Sequence, residues 1–186
     1  MSPPPPKTHP PNGPSMRVAD LQHVYDYHYW ANGKLFAVIE QLAPEQFTQS
    51  VAGSYGSVRN TLVHIVSAEW GWMDRCGGPP RGDRLNADDY PTFESVHDTW
   101  RRVESDMREF LGNLTDGDLA RRITFSLGGG PAHTVPMVDL LTHNITHAAH
   151  HRGQTALLLR TLGVAPGNFD YLVFAIERSH APVAPA

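Results

Sequence analysis

Apolar residues recur at steps of three and four along four stretches of the chain, the spacing that places side chains on one face of an α-helix. The stretches extend over residues 21–42, 58–76, 93–114 and 137–162. The third is the most regular, with aromatic or aliphatic side chains at nearly every inward position. Each stretch therefore predicts a long amphipathic helix.

Residues that favour helix ends lie at the limits of these stretches. Ser57 is a good N-cap for the second helix, because a hydroxyl can accept a hydrogen bond from a free backbone N–H, and the third helix starts near Thr92. Gly77, with a second glycine and two prolines after it, ends the second helix. Pro136 suits the first turn of the fourth helix, and Gly163 suits its C-terminal cap.

Between residues 121 and 135 the pattern changes to an alternation of apolar and polar positions. Ile123, Phe125 and Leu127 alternate with polar residues and lead into three glycines, which predicts a short strand or a hairpin-like excursion. Four long helices with one longer connection are typical of a four-helix bundle. We therefore predict an all-α bundle with a β-hairpin-like or loop excursion before the last long helix.

The chain length of 186 residues fits one domain, and composition sets its limits. Seven of the sixteen prolines fall in the first fourteen residues, where no apolar residue could form a core. We predict a proline-rich flexible tail over residues 1–15, a single bundle domain over 16–180 and a C-terminal tail over 181–186.

Charge and cysteine content exclude several classes of function. Fifteen basic and nineteen acidic residues give a net charge of −4 without a basic run, which argues against a nucleic-acid partner. Cys76 is the only cysteine, so an internal disulfide, a multi-thiolate zinc site and a redox motif are excluded. Because no signal-peptide core or membrane-length apolar run is present, we expect a cytoplasmic protein without a membrane partner.

Histidines cluster in the fourth predicted helix. Of the 11 in the chain, His143, His147, His150 and His151 lie there, and the inward stripe of this helix is apolar at both ends and polar in the middle. An unpaired polar side chain in a bundle core costs about 1–3 kcal/mol, a cost that a bound metal ion removes. His147 and His151 are four residues apart, so they share a face and could bind one ion.

The pattern leaves the full set of ligands open. His64, the only histidine of the second helix, is one candidate for the third ligand, and His28 on the first helix is another. His143 with His147 is a competing pair, and His150 is also near this face. Three imidazoles with an open position are typical of catalytic zinc sites, and nickel, iron or manganese could bind there too.

Three separated segments carry a family resemblance that covers residues 16–178. HNITHAAHHRGQTALLLRTLG resembles the last helix of the DinB/YfiT-like superfamily. YHYWANGKLF (residues 27–36) and GSYGSVRNTLVHIVSAEWGWMDR (residues 53–75) are similar to that superfamily's first-helix and second-helix segments.

The resemblance implies a four-helix bundle, commonly a homodimer, with a divalent metal held by three histidines. Matched by position, those ligands are His64, His147 and His151, and zinc or nickel is the first expectation for the ion, followed by iron or manganese. Some members transfer or isomerise small molecules with thiols such as bacillithiol, mycothiol or glutathione. The resemblance thus implies a metal-dependent S-transferase that joins a low-molecular-weight thiol to a small electrophile. A metal-assisted hydrolase and a non-catalytic, stress-related binding or dimerisation module are the alternatives.

Two charged residues near these histidines are further candidates for catalysis. Glu69 interrupts the apolar stripe of the second helix and could accept a ligand's hydrogen bond, act as a general base or form a salt bridge. Arg152 directly follows His151 and could bind a substrate carboxylate or form an ordinary surface contact.

Overall fold

The computed structural model describes residues 16–180, and four long helices dominate it. They are α1 (Val18–Ile39), α3 (Val58–Arg75), α4 (Phe93–Gly112) and α5 (Met137–Thr161). The predicted bundle is confirmed. The two predicted tails, residues 1–15 and 181–186, lie outside the described residues.

The helix ends follow the capping residues. The Ser57 hydroxyl accepts the Asn60 backbone N–H at 3.0 Å, and the Thr92 hydroxyl accepts the Ser95 N–H at 3.3 Å. Pro136 lies immediately before α5, at its N-cap. After α5 the backbone of Gly163 has φ +82°, a conformation that L side chains rarely adopt. Local side-chain chemistry thus sets the ends of the helices that carry the site.

The excursion before α5 is a β-hairpin, as predicted. Strands β1 (Arg122–Ser126) and β2 (Ala132–Pro136) pair antiparallel, with Thr124 opposite Thr134. Met137 at the start of α5 donates its backbone N–H to the Arg121 carbonyl at 2.8 Å. The hairpin therefore delivers the chain directly into the histidine-bearing helix.

Several short elements were not predicted. They are α2 (Pro44–Thr48), α6 (Tyr171–Ser179) and two 3-10 turns at Ala87–Asp89 and Asp118–Ala120. α6 places Phe174 against α1, with ring centroids 5.6 Å from Trp30. These elements are too short for a helical period to identify them in sequence.

The core lies between the four long helices. Its fully buried side chains include Leu62 of α3, Trp100 and Met107 of α4 and Leu141 of α5. Each such side chain contributes about 1.5–3 kcal/mol by leaving water. The most extensive packing joins α3 to α5, so these helices hold their facing side chains in a defined arrangement. No helix within residues 16–180 is long and apolar enough to cross a bilayer.

Candidate metal centre

Three histidines converge where α3 faces α5. His64 comes from the middle of α3, and His147 and His151 from successive turns of α5. The Nε2 atom of His147 lies 3.1 Å from Nε2 of His64 and 3.1 Å from Nε2 of His151. One nitrogen from each ring lies within 4.8 Å of the other two, so these three side chains could share one metal ion.

The separations suit a common cation. A tetrahedral ion with metal–nitrogen distances of about 2.1 Å places its ligand nitrogens about 3.4 Å apart. Hydrogen bonds alone satisfy the cluster poorly. His147 Nε2 faces two other ring nitrogens and can form a good hydrogen bond with only one of them. His147 Nδ1 is buried without a partner among residues 16–180. The donor set therefore fits a divalent ion that prefers imidazole ligands.

The protonation states favour coordination. Burial, together with neighbouring His151 and Arg84, lowers the pKa of His64 to about 4. Burial and the surrounding histidines lower the pKa of His147 to about 4, and burial also lowers the pKa of His151. At neutral pH the rings are neutral, the form in which imidazole binds a metal.

Gln154 orients one of the three rings. Its Oε1 lies 2.7 Å from His151 Nδ1, and since an amide oxygen only accepts, Nδ1 carries the proton. The lone pair of His151 Nε2 then points to the cluster. Gln154 Oε1 also accepts from Ser54 Oγ at 2.8 Å, and its Nε2 contacts His150 Nε2 at 3.0 Å. His150 thus lies beside the cluster and supports Gln154.

Tyr55 covers the cluster from the solvent side, a role that the helical periodicity could not predict. Its ring stacks on His64 with centroids 4.0 Å apart, and its hydroxyl lies 3.0 Å from His64 Nε2. The ring remains 44% exposed. The loop before α3, which contains Tyr55, turns sharply at Gly53 and Gly56, which have φ +100° and +83°. Only the position of Tyr55 inside GSYGS, next to the α3 N-cap, could have suggested it.

A cavity of about 470 Å³ opens beside the cluster. His64 and His147 form part of its wall, and Trp72 and Leu127 add apolar surface. His143 also lines it, but its ring packs edge-on against Trp72 at 5.1 Å, and it is not one of the three converging histidines. The competing pair of His143 and His147 is therefore not the arrangement that the fold assembles.

His28, the rival third ligand, belongs to a separate buried network. Arg152 Nη1 donates to His28 Nδ1 at 2.9 Å, so His28 Nε2 carries the ring proton and donates to Glu69 Oε2 at 3.0 Å. The Tyr29 hydroxyl donates to Glu69 Oε1 at 2.8 Å, and Arg152 Nη1 donates to Asn32 Oδ1 at 3.0 Å. This network joins α1, α3 and α5.

The two charged candidates for catalysis both lie in that network. Glu69 is 0% exposed and Arg152 is 1% exposed, and neither lines the cavity. Cys76 is also buried, and burial raises the pKa of its thiol to about 11, so it stays protonated at neutral pH. Glu69 and Arg152 thus make contacts that hold the helices together.

The fold and the site define a class of helical-bundle proteins with three histidines on two facing helices. The model of the DinB family matches residues 16–179, and this chain belongs to the DinB family. The resemblance drawn from the three sequence segments is thereby confirmed.

Individual relatives are distant in sequence but similar over most of their length. Protein DinB of Bacillus subtilis is 25% identical over 155 residues, which is 80% of this chain and 89% of that protein. The protein YizA of Bacillus subtilis, itself uncharacterized, is 21% identical and matches 87% of this chain and 99% of its own. The crystal structure of a DinB-like protein from Bacillus cereus has a TM-score of 0.70 at 22% identity, covering 83% of this chain and 98% of that one. These similarities agree with the family and show the fold, but they do not identify the reaction.

Proposed function

We propose that this DinB-family protein is a divalent-metal-dependent enzyme that joins a small thiol to a small electrophile. In this proposal His64, His147 and His151 hold one ion, zinc or nickel in the first place. The observation that carries it is the convergence of three imidazole nitrogens beside a cavity of about 470 Å³, whose wall includes His64 and His147. A purely structural ion is usually enclosed by four protein ligands, whereas three ligands beside a cavity leave a position for a reactant.

The chain's own residues prepare this position. When bound there, a divalent cation would lower the pKa of a thiol or water beside it and so supply a nucleophile near neutral pH. Gln154 keeps the His151 Nε2 lone pair directed at the centre, and Tyr55 shields one side of His64 from water. The Tyr55 hydroxyl, 3.0 Å from His64 Nε2, is close enough to hydrogen-bond to a reactant at the centre.

The proposed reaction is a substitution at carbon. The thiol loses its proton to solvent, its sulfur forms a bond to the electrophilic carbon, and the leaving group departs with the electron pair of the broken bond. The cavity has room for both reactants near the histidines. Replacing the thiol by water would give the metal-assisted hydrolysis that is the alternative.

Metal content is the first test. We would purify the protein without a histidine tag and measure metals by elemental analysis in the wild type and in His64→Ala, His147→Ala and His151→Ala. His133→Ala is the matched control, because His133 is exposed on β2 and is not one of the converging histidines. We expect about one ion per chain in the wild type and the control, and none in the three variants. A wild type that binds no divalent ion even when zinc and nickel are added would refute the proposal.

Activity is the second test. The consumption of glutathione by monochlorobimane would be followed with metal-loaded protein, with and without a chelator. Turnover that the chelator abolishes and that His147→Ala lacks supports the transferase. A metal-loaded protein that consumes no thiol with this or other electrophiles would favour the hydrolase or the non-catalytic module.

The homodimer expected from the resemblance stays a prediction, because the structure describes a single chain. Light scattering of the full chain would decide it, since a dimer has twice the 20.6 kDa mass of the monomer. A cytoplasmic location is likewise an expectation from the sequence alone.

A further inference from the structure

Three arginines line the same cavity as His64 and His147. Arg75 is the last residue of α3, and Arg81 and Arg84 lie on the connection that follows it. The described lining of the cavity contains no aspartate or glutamate. The protein as a whole carries a net charge of −4, so this local positive charge is opposite in sign to the net charge of the chain.

The fold makes room for two of these guanidinium groups. Arg81 Nη1 donates to the Ser67 carbonyl at 2.7 Å, and Arg75 Nη1 donates to the Gly71 carbonyl at 2.7 Å. A Cβ atom at Gly71 would lie 2.7 Å from Arg81 Nη1 and 3.2 Å from Arg75 Nη1. A side chain at this position would therefore displace these guanidinium groups from their places against α3. Arg81 Nε is buried and has no partner among residues 16–180.

The guanidinium groups of this arginine cluster are not held in ion pairs. No ion pair of residues 16–180 involves Arg75, Arg81 or Arg84. Burial, and then the charges of the other two arginines, lower the pKa of Arg81 below its usual value. Holding like charges together is unfavourable unless an anion joins them.

The nearby carboxylates do not occupy these guanidinium groups. Asp74 accepts the backbone N–H of Arg81 at 3.3 Å, and Asp83 acts on Arg81 only at longer range. Asp88 pairs with Arg59 at 3.0 Å. The donors that face the cavity thus remain available to a ligand.

We propose that the small molecule bound in this cavity carries a carboxylate, which Arg75, Arg81 and Arg84 hold while its reacting group lies at the three histidines. The inference rests on the proposed function and narrows its substrate class to anionic molecules. Guanidinium groups suit this role because they pair with carboxylates through two parallel hydrogen bonds. The three arginines line the same cavity as His64 and His147, so one small molecule in it can reach both groups.

Three matched probes test the proposal by titration calorimetry. Mercaptosuccinate has a thiol and two carboxylates, its dimethyl ester keeps the thiol without the charges, and succinate keeps the charges without the thiol. We expect metal-loaded wild type to bind mercaptosuccinate at least about tenfold more tightly than the ester. Succinate should bind both metal-free and metal-loaded protein, and its affinity should fall as salt is raised, because salt screens exposed charges.

Variants of the arginines test which side chain binds the carboxylate. Arg84 is exposed, so its substitution should disturb folding least. Arg84→Met should weaken the binding of both carboxylate probes about fivefold and leave the binding of the ester unchanged, while Arg84→Lys should keep most of the affinity. Arg101→Met is the control for net charge, because the Arg101 side chain is 66% exposed on α4 and pairs with Asp98. Arg81→Met should have a larger effect than Arg84→Met, with circular dichroism checking that it folds.

The outcomes separate this inference from the proposed function. Equal affinity of wild type for mercaptosuccinate and its ester, or an equal loss in Arg101→Met and Arg84→Met, would overturn the carboxylate site. If succinate fails to bind while the three histidines still hold a metal, the metal site stands and the arginine inference falls. If no metal binds but succinate binds in an Arg84-dependent way, the anion site stands and the metal-dependent function falls.

Discussion

Two polar clusters, one around the single histidine His28 and one of three histidines, lie within the same bundle and are built in opposite ways. In the network of His28, Glu69 and Arg152, both nitrogens of the histidine ring have protein partners. In the cluster of His64, His147 and His151, ring nitrogens face one another at 3.1 Å, and His64 and His147 line a cavity. The first arrangement satisfies both histidine nitrogens without a ligand, although Arg152 Nε and Nη2 have no partner among residues 16–180. The second arrangement has a donor set that a cation would complete. The difference shows that a buried histidine indicates a site only when the protein itself does not satisfy it.

Breaking the closed network should have the largest effect on stability. Glu69→Ala removes the acceptor of His28 and Tyr29 and leaves Arg152 without its buried counter-charge. We expect a loss of about 3–5 kcal/mol in the free energy of unfolding, measured with urea in the presence of a chelator. His147→Ala should cost far less under the same conditions, because its ring nitrogens lack good partners in the metal-free chain. Equal losses in the two variants would contradict the comparison.

A metal ion should stabilise the protein only through the cluster of His64, His147 and His151. An ion present at about 1,000 times its dissociation constant adds about 4 kcal/mol, which raises the Tm of a domain of this size by about 10 °C. We expect this rise on adding zinc or nickel to chelator-treated wild type and no rise in His147→Ala. Glu69→Gln should start from a lower Tm and still gain from the metal. Loss of the gain in Glu69→Gln would show that the two clusters are coupled.

Removing the hydrogen bond that orients the metal ligand His151 should have an intermediate effect, on metal affinity. Gln154→Leu deletes the acceptor that orients His151 through Nδ1. Loss of such a contact typically lowers metal affinity about ten- to a hundredfold, and we expect a change in this range in a competition titration with a chromophoric chelator. Thr161→Leu, on the exposed last turn of α5, is a control that should leave the affinity unchanged.

The smallest expected effect is on the pH dependence of the metal-free protein. The pKa values of His64 and His147 are lowered to about 4 in the folded chain, from an ordinary value of 6.5. Between these values the unfolded chain binds more protons, so this contribution to stability is present above pH 6.5 and is lost as the pH falls towards 4. The effect is modest because both rings are only partly buried. The double variant His64→Gln/His147→Gln should show a flatter decline in urea midpoint over this range, and a parallel decline would argue against the shifted values.

The helices and their ends were predictable because their signals are local. A helical period, a hydroxyl at an N-cap and a glycine with positive φ act over a few residues, as at Ser57, Thr92 and Gly163. His147 and His151 were a predictable pair for the same reason, since one helical turn separates them. The third histidine was different: periodicity left His64 and His28 as rivals, and only the family resemblance chose between them.

Tyr55 and the three arginines depend on tertiary structure. The arginines are spread over residues 75–84, in a helix end and a connection without a period. They share a cavity with His64 and His147 because this connection folds back against α3, where Arg81 bonds to the Ser67 carbonyl. Glu69 and Arg152 show the reverse case, since both are charged residues next to ligand positions in sequence that fold into the closed network. The amino-acid sequence by itself determined the helices, their ends and the histidine pair on α5, because those depend on contacts within a turn or two. Which histidine is satisfied, which is open and what charge lines the cavity were decided by the tertiary structure, because each depends on side chains that only helix packing brings within a few ångströms.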